Sequence, residues 1–221
     1  MELPIDGLYR YILSIRDLAS SYQLLALPVP HPVAAVTVAC LSYLFAAHGR
    51  PLVLKTDNGS NLVAGEVQRI LAGAGVTHLP SPPMTPRYNG AVEAGIGAVK
   101  SRALLIAAAH GRSDQWTCDD VEAARLEGNE HSRPRGKTGP SPSALWNSRS
   151  PITLEEHSGF LAALALAREE EAMKIIESVQ TLPGCRPAGS LNLARQATVA
   201  RRATRRVLED LGFLLFRRST N

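Results

Sequence analysis

Cysteine is scarce in this chain: three in 221 residues, at positions 40, 118 and 185. Three widely separated cysteines exclude the disulfide framework of a small secreted domain and a Cys-rich zinc site, and a reducing cytoplasm is the expected compartment. Six histidines form no His-x3–5-His pair, so a His-based metal finger is excluded too. Aromatic residues are only 5% of the total, and the longest apolar stretch, 33–47, is 15 residues interrupted by Thr37 and Ser42. That is short for a bilayer and reads as a buried helix, so no membrane partner is expected. The N-terminus lacks the basic start and apolar block of a signal peptide. Nucleophile motifs of the Gly-x-Ser-x-Gly and Ser-x-x-Lys kind are missing, and Gly90, Gly95 and Gly97 make no phosphate loop without the following Lys-Ser/Thr. What remains is a chain 45% apolar and 20% charged, enough for one well-packed domain with an appendage.

The charge is unevenly placed. Residues 186–221 hold eight arginines against Glu209 and Asp210, a net of +6, and the preceding 185 residues come to −2. A near-neutral body with a basic tail suggests a polyanionic partner.

Residues 9–16 are rich in aromatic and β-branched types and predict a strand, with 17–21 as a turn and 22–27 as the hairpin partner ended by Pro28 and Pro30. A helix over 31–48 stops at Gly49. Leu52-Val-Leu54 predicts a short buried strand, broken by Asp57-Asn-Gly59. From Ser60 the period turns helical, with Val63, Val67, Ile70, Leu71 and Ala74 on one face. Residues 76–79 predict another strand, and Asn89-Gly90 opens a helix with the stripe Val92, Ile96, Val99, Ala103 and Ile106. Helices are further expected over 119–127, 154–179 and 193–211, with an irregular stretch at 133–142 and a Pro/Gly linker at 183–189. The order gives a mixed α/β domain over 1–150 and a helical region over 151–221.

Asp57 stands just past the end of a predicted strand, where α/β sheets place their ligand crevice. Glu93 lies in the first turn of a helix 36 positions later. The helix, strand and loop between them lead away from Asp57 and back. Carboxylates on rigid elements are how proteins hold Mg²⁺, and two such ions about 3.5–4 Å apart clamp a phosphoryl displacement. Each residue has an ordinary reading as well: Asp57 as a turn former, Glu93 as a complement to the helix dipole. Lys100, seven residues past Glu93, falls about 20° from its face, within reach of a phosphate or of solvent. Gly97, one turn past Glu93, leaves room for DNA or for a packing helix.

Thr56-Asp-Asn-Gly-Ser60, followed by Pro80-Ser-Pro-Pro-Met-Thr-Pro-Arg-Tyr-Asn-Gly-Ala-Val-Glu93, resembles the catalytic core of retroviral-type integrases and insertion-sequence transposases. Tyr11 to Ser20 looks like that family's second strand and turn, and 133–146 resembles the segment closing such cores. The resemblance covers roughly residues 6–150. It implies an RNase H-like mixed sheet flanked by helices, Mg²⁺ or Mn²⁺, and strand transfer on DNA. Carried over by position, Asp57 and Glu93 become catalytic metal ligands and Lys100 a DNA contact. The family's first strand and its Asp have no good counterpart. Asp6 is the sole candidate, and Asp6-Gly7 reads as a turn. The expectation is a core lacking its first strand, with the neighbouring strand left as an unpaired edge.

The last predicted helix places Leu193, Ala197, Ala200, Val207, Leu208 and Leu211 on one face and Arg195, Arg201, Arg202, Arg205 and Arg206 on the other. Arg195, Arg202 and Arg206 are the candidate phosphate contacts; a packed helix with a solvated basic face is the ordinary reading. Glu169-Glu-Glu171 is expected in solvent. The expected partners are DNA and a second copy or a full-length transposase. The expected function is metal-dependent strand transfer on DNA, with a non-catalytic nucleic-acid-binding remnant as the alternative.

Overall fold

The computed structural model describes residues 4–82, 85–113, 115–180 and 191–214; the Pro/Gly linker, Arg186, Arg217, Arg218, Cys185 and part of the 80–86 loop lie outside them. Strands β1 (Tyr11–Arg16) and β2 (Gln23–Val29) form an antiparallel hairpin in the expected place. Its turn is organised by the Asp17 carboxylate, which accepts from the Ser20 N–H at 2.7 Å, while Ser21 takes φ 65°. The second strand runs through Pro28, which sits opposite Ile12. An edge strand tolerates that residue because one donor of its ladder is dispensable.

Helix α1 (Ala34–His48) begins three residues later than expected, after Val33, which is extended at φ −110° and ψ 148°, and it ends at Gly49 with φ 84°. Strand β3 (Val53–Thr56) pairs in parallel with β4 (Thr77–Pro80). The crossover is not the single helix expected from Ser60. It breaks at Ala64, whose ψ of 147° is extended, into α2 (Ser60–Val63) and α3 (Gly65–Gly73). Buried Asn61 donates to the Thr37 hydroxyl at 3.1 Å and fixes the short first piece against α1, leaving Val63 exposed.

A 3₁₀ turn, Pro86–Asn89, leads into α4 (Gly90–Ala109), followed by α5 (Cys118–His131), the unexpected short α6 (Pro142–Asn147), α7 (Leu154–Gln180) and α8 (Leu193–Asp210). Ser141 caps α6 through the Ala144 N–H, and Pro142 occupies its first turn, where no donor is needed. Among the described residues no helix is long and apolar enough to cross a membrane.

Three apolar clusters hold these elements. Leu41, Val67, Leu71 and Val76, with Ile15 and Leu54, seat α1 and α3 on one face of β1 and β3. Ala26, Val99, Ala103, Ala107, Val121 and Ala124 join α4 and α5 to the hairpin. Leu52, Phe160, Leu164, Ala167, Ala203 and Val207 pack α7 and α8 together and onto the start of β3. The strands form two pairs, β1–β2 and β3–β4, with no ladder joining β1 to β3.

Candidate carboxylate site

The end of β3 is tied to the start of α4 through one serine. The Ser81 N–H and hydroxyl both reach the Thr56 carbonyl, at 2.9 and 2.7 Å, and the hydroxyl lies 2.5 Å from the side-chain oxygen of Asn89. Asn58 donates to the Ser81 carbonyl at 3.0 Å. Asp57 is therefore held between two residues bound to Ser81, and Asn89 immediately precedes the helix that carries Glu93, its side chain engaged by Ser81 rather than by a helix N–H. Lys55 adds a third tie, donating to the Tyr88 carbonyl with its ammonium 3.7 Å from the centre of the Tyr88 ring. Burial pulls the Lys55 pKa down.

Asp57 is exposed, with Oδ1 accepting from the Gly59 N–H at 2.8 Å. A Cβ at Gly59 would lie 3.0 Å from both that oxygen and Asn61 Oδ1, so the tight turn after Asp57 calls for glycine. Glu93 is exposed in the first turn of α4. Among the described residues neither carboxylate is in an ion pair. Lys100 lies half-buried further along α4, and Gly97 is exposed with nothing within 4 Å of where a Cβ would stand. No neighbouring helix packs on Gly97 among the described residues.

Asp6 is engaged elsewhere. It takes φ 50° in a tight turn, its carboxylate accepts from the Cys118 N–H at 3.0 Å, and its own N–H donates to the Trp116 carbonyl. Burial, and next the Asp6 carboxylate beside the thiol, push the Cys118 thiol up to about 11. Among the described residues no third acid, His or Cys joins a metal-sized cluster. Among the described residues the three carboxylates of a two-ion centre are not assembled.

Beside the β3 end, the sequence reasoning missed His78. Its Nε2 lies 2.8 Å from the Thr56 hydroxyl and its Nδ1 2.6 Å from the Gln68 amide nitrogen. Arg201, expected only as part of the basic face of the last helix, also comes near this site: burial raises the pKa of the Tyr88 phenol and the Arg201 charge opposes that rise. The packing of Ala203, Val207 and Leu208 against Leu52 and Val53 carries Arg201 there. No spacing along the sequence reports that contact.

The basic helix differs in phase from the expected stripe. Val199, Ala203, Thr204 and Val207 are its buried residues, whereas Leu193 is 84% exposed. Ala203 and Thr204 permit close approach to α7, which a count of large apolar residues overlooks. Of the three arginines expected on phosphate, Arg206 is bound to Glu170 at 2.6 Å and Asp210 at 3.6 Å. Arg195 and Arg202 are in no ion pair among the described residues. Glu171 is not in solvent as expected. It is buried, bound to Lys174 at 2.8 Å, and held below the usual carboxylate range by that contact.

No family model and no curated protein matches this sequence. Solved structures do. The catalytic core domain of BIV integrase superposes with a TM-score of 0.51 at 21% identity, over 67% of this chain and 89% of that one. The catalytic core domain of HTLV-2 integrase, in a dimeric form with magnesium, gives 0.50 at 15% identity, over 62% and 83%. A chain of the simian T-cell lymphotropic virus intasome, solved with the PP2A regulatory subunit B56 gamma, gives 0.51 at 18%, over 66% and 56%. The fold is that of the integrase catalytic core, with additional C-terminal helices.

Proposed function

We propose that this chain is an integrase-type core that binds DNA at the carboxylate site and, with a divalent ion, acts on its phosphodiesters. The observation that carries the reading is the lacing of β3 to α4 through Ser81 and Asn89, which brings the segments bearing Asp57 and Glu93 together. In this reading both carboxylates hold Mg²⁺ or Mn²⁺, and Lys100, Arg195 and Arg202 bind phosphates. The ion at such a pair supplies Lewis-acid polarisation of the phosphoryl oxygen and activation of the attacking hydroxyl. The magnesium bound in the HTLV-2 structure, and its dimeric form, support an ion and a second copy as partners.

Titration with millimolar Mg²⁺ or Mn²⁺ tests the site. The expected result is a chemical-shift change at residues 56–59 and 90–93 that Asp57→Asn and Glu93→Gln each abolish. A shift that persists in both variants places the ion elsewhere. The scarcity of acids at the site favours a second reading, non-catalytic DNA binding. Salt-sensitive binding without nicking or strand transfer of a labelled duplex in Mn²⁺ selects it over the first.

A further inference from the structure

The two faces of β3 meet different helices. Val53 packs with the α7–α8 cluster, whereas Leu54 enters the cluster under α1 and α3. Side chains alternate along a strand, so Lys55 stands on the same face as Val53, the one turned toward α7 and α8. On α8, Leu208, Thr204 and Arg201 lie on one line, about a turn apart. Leu208 packs in the cluster that Val53 joins, and Thr204 is fully buried. One turn further toward the start of α8 the line reaches Arg201, close enough to Tyr88 for its charge to act on the phenol.

Lys55, Tyr88 and Arg201 thus converge from a strand, a 3₁₀ turn and the last helix. The Lys55 ammonium is 3.7 Å from the centre of the Tyr88 ring, and Arg201 Nη2 donates to the Thr198 hydroxyl at 3.2 Å. All three residues are half-buried. Neither cation is in an ion pair among the described residues, unlike Arg205 and Arg206 further along α8. Two positive charges held against one phenol repel each other, and an anion between them replaces that repulsion with attraction. Burial raises the Tyr88 pKa, so the phenol keeps a proton to donate. An ammonium, a planar guanidinium fork and a hydroxyl donor together match the oxygens of a phosphate. Lys55 stands two positions before Asp57, so the set borders the carboxylate site.

We propose that Lys55, Tyr88 and Arg201 form an anion subsite that holds a single backbone phosphate of DNA beside the carboxylate site, with α8 supplying the arginine. This subsite rests on the reading of the neighbouring carboxylates as a DNA site. It makes the helical C-terminal region part of that site, beyond the basic surface that Arg195 and Arg202 present. A phosphate held there fixes where the strand lies without reading its sequence.

The test follows binding of a labelled duplex to the whole chain against salt concentration, in EDTA, so that no divalent ion contributes. Two cations on one phosphate neutralise one charge. Lys55→Gln and Arg201→Gln combined are therefore expected to flatten the fall of log affinity with log salt by about 0.9, each single variant accounting for part of it. Arg201→Lys, which keeps the charge, is expected to hold the slope near that of the unaltered chain. A loss of about 1.8 in the double variant, as for two separate phosphates, overturns the shared subsite. So does an unchanged slope in Arg201→Gln whose circular dichroism spectrum is also unchanged. In that case the unaltered chain still binds DNA and the reading of the carboxylate site survives. Absence of salt-sensitive binding by the unaltered chain overturns both. Millimolar inorganic phosphate at constant ionic strength is expected to leave the difference between Arg201→Gln and the unaltered chain in place; its disappearance makes free phosphate the occupant and overturns the assignment to DNA.

Discussion

At Asp120 four donor groups meet one buried carboxylate. Arg112 binds it through both terminal nitrogens at 2.7 and 2.8 Å, and Thr117 donates its N–H and hydroxyl at 2.8 and 2.9 Å. The guanidinium and these donors hold the carboxyl well below the usual carboxylate range. A depressed folded-state pKa contributes stability above the unfolded value, near pH 4, that is lost as pH falls toward the folded one. Asp120→Ala is therefore expected to cost about 2–3 kcal/mol at pH 7, in chemical denaturation, with the deficit shrinking below pH 4. A deficit constant from pH 7 to pH 2 assigns the effect to packing instead. His78 has the opposite chemistry with the same sign. If the Gln68 amide donates to Nδ1, Nε2 carries the proton toward Thr56, and a second proton sets two donors face to face. Burial lowers its pKa, so protonation opposes folding as pH drops through the unfolded value of about 6.5. The imidazole resonances of His78 are expected to titrate below that value; a midpoint at or above it contradicts the assigned bonds.

Two glycines on α4 separate helix propensity from contact. Gly97 has open space around it, so Gly97→Ala is expected to raise stability by about 0.5–1 kcal/mol. Gly95 is buried against Arg16, and Gly95→Ala must expel the guanidinium from the Ala91 carbonyl. Its gain is expected to be smaller or negative. Equal gains at the two positions in urea titrations would mean that Arg16 is not anchored on α4. The same helix shows what was readable beforehand. Its existence, start and first-turn Glu93 follow from Asn89-Gly90 and the apolar period. Of its buried residues Gly95, Val99, Ala103 and Ala107, the apolar period marked Val99 and Ala103 and missed Gly95, which packs on Arg16, and Ala107, which joins Ala103 in the cluster with α5. Small residues carry little hydropathy, yet they let helices approach closely. The Asp57–Glu93 spacing was legible from the residues themselves. Ser81, the knot between their segments, was not, since a serine in a Pro-rich loop reads as a turn residue until Thr56 and Asn89 are placed beside it.

For the molecule as a whole, the basic tail is partly balanced by its own partner helix. α7 places Glu170 and Glu171 against Arg206, and Glu209 pairs with Arg205 at 2.9 Å within α8. Fully buried Phe160 holds α7 and α8 on the start of β3, so Phe160→Ala is expected to cost about 3–5 kcal/mol, and to release both helices together in hydrogen exchange. Charge already paired inside the fold releases fewer counterions on binding a polyanion. Each phosphate newly neutralised steepens the fall of log affinity with log salt by about 0.9 on duplex DNA. Arg202→Ala and Arg195→Ala are therefore each expected to flatten that slope by about one unit, whereas Arg206→Ala leaves it nearly unchanged. If Arg206→Ala flattens it as much as the other two, the ion pairs to α7 open on binding, and α8 does not meet DNA in its packed position.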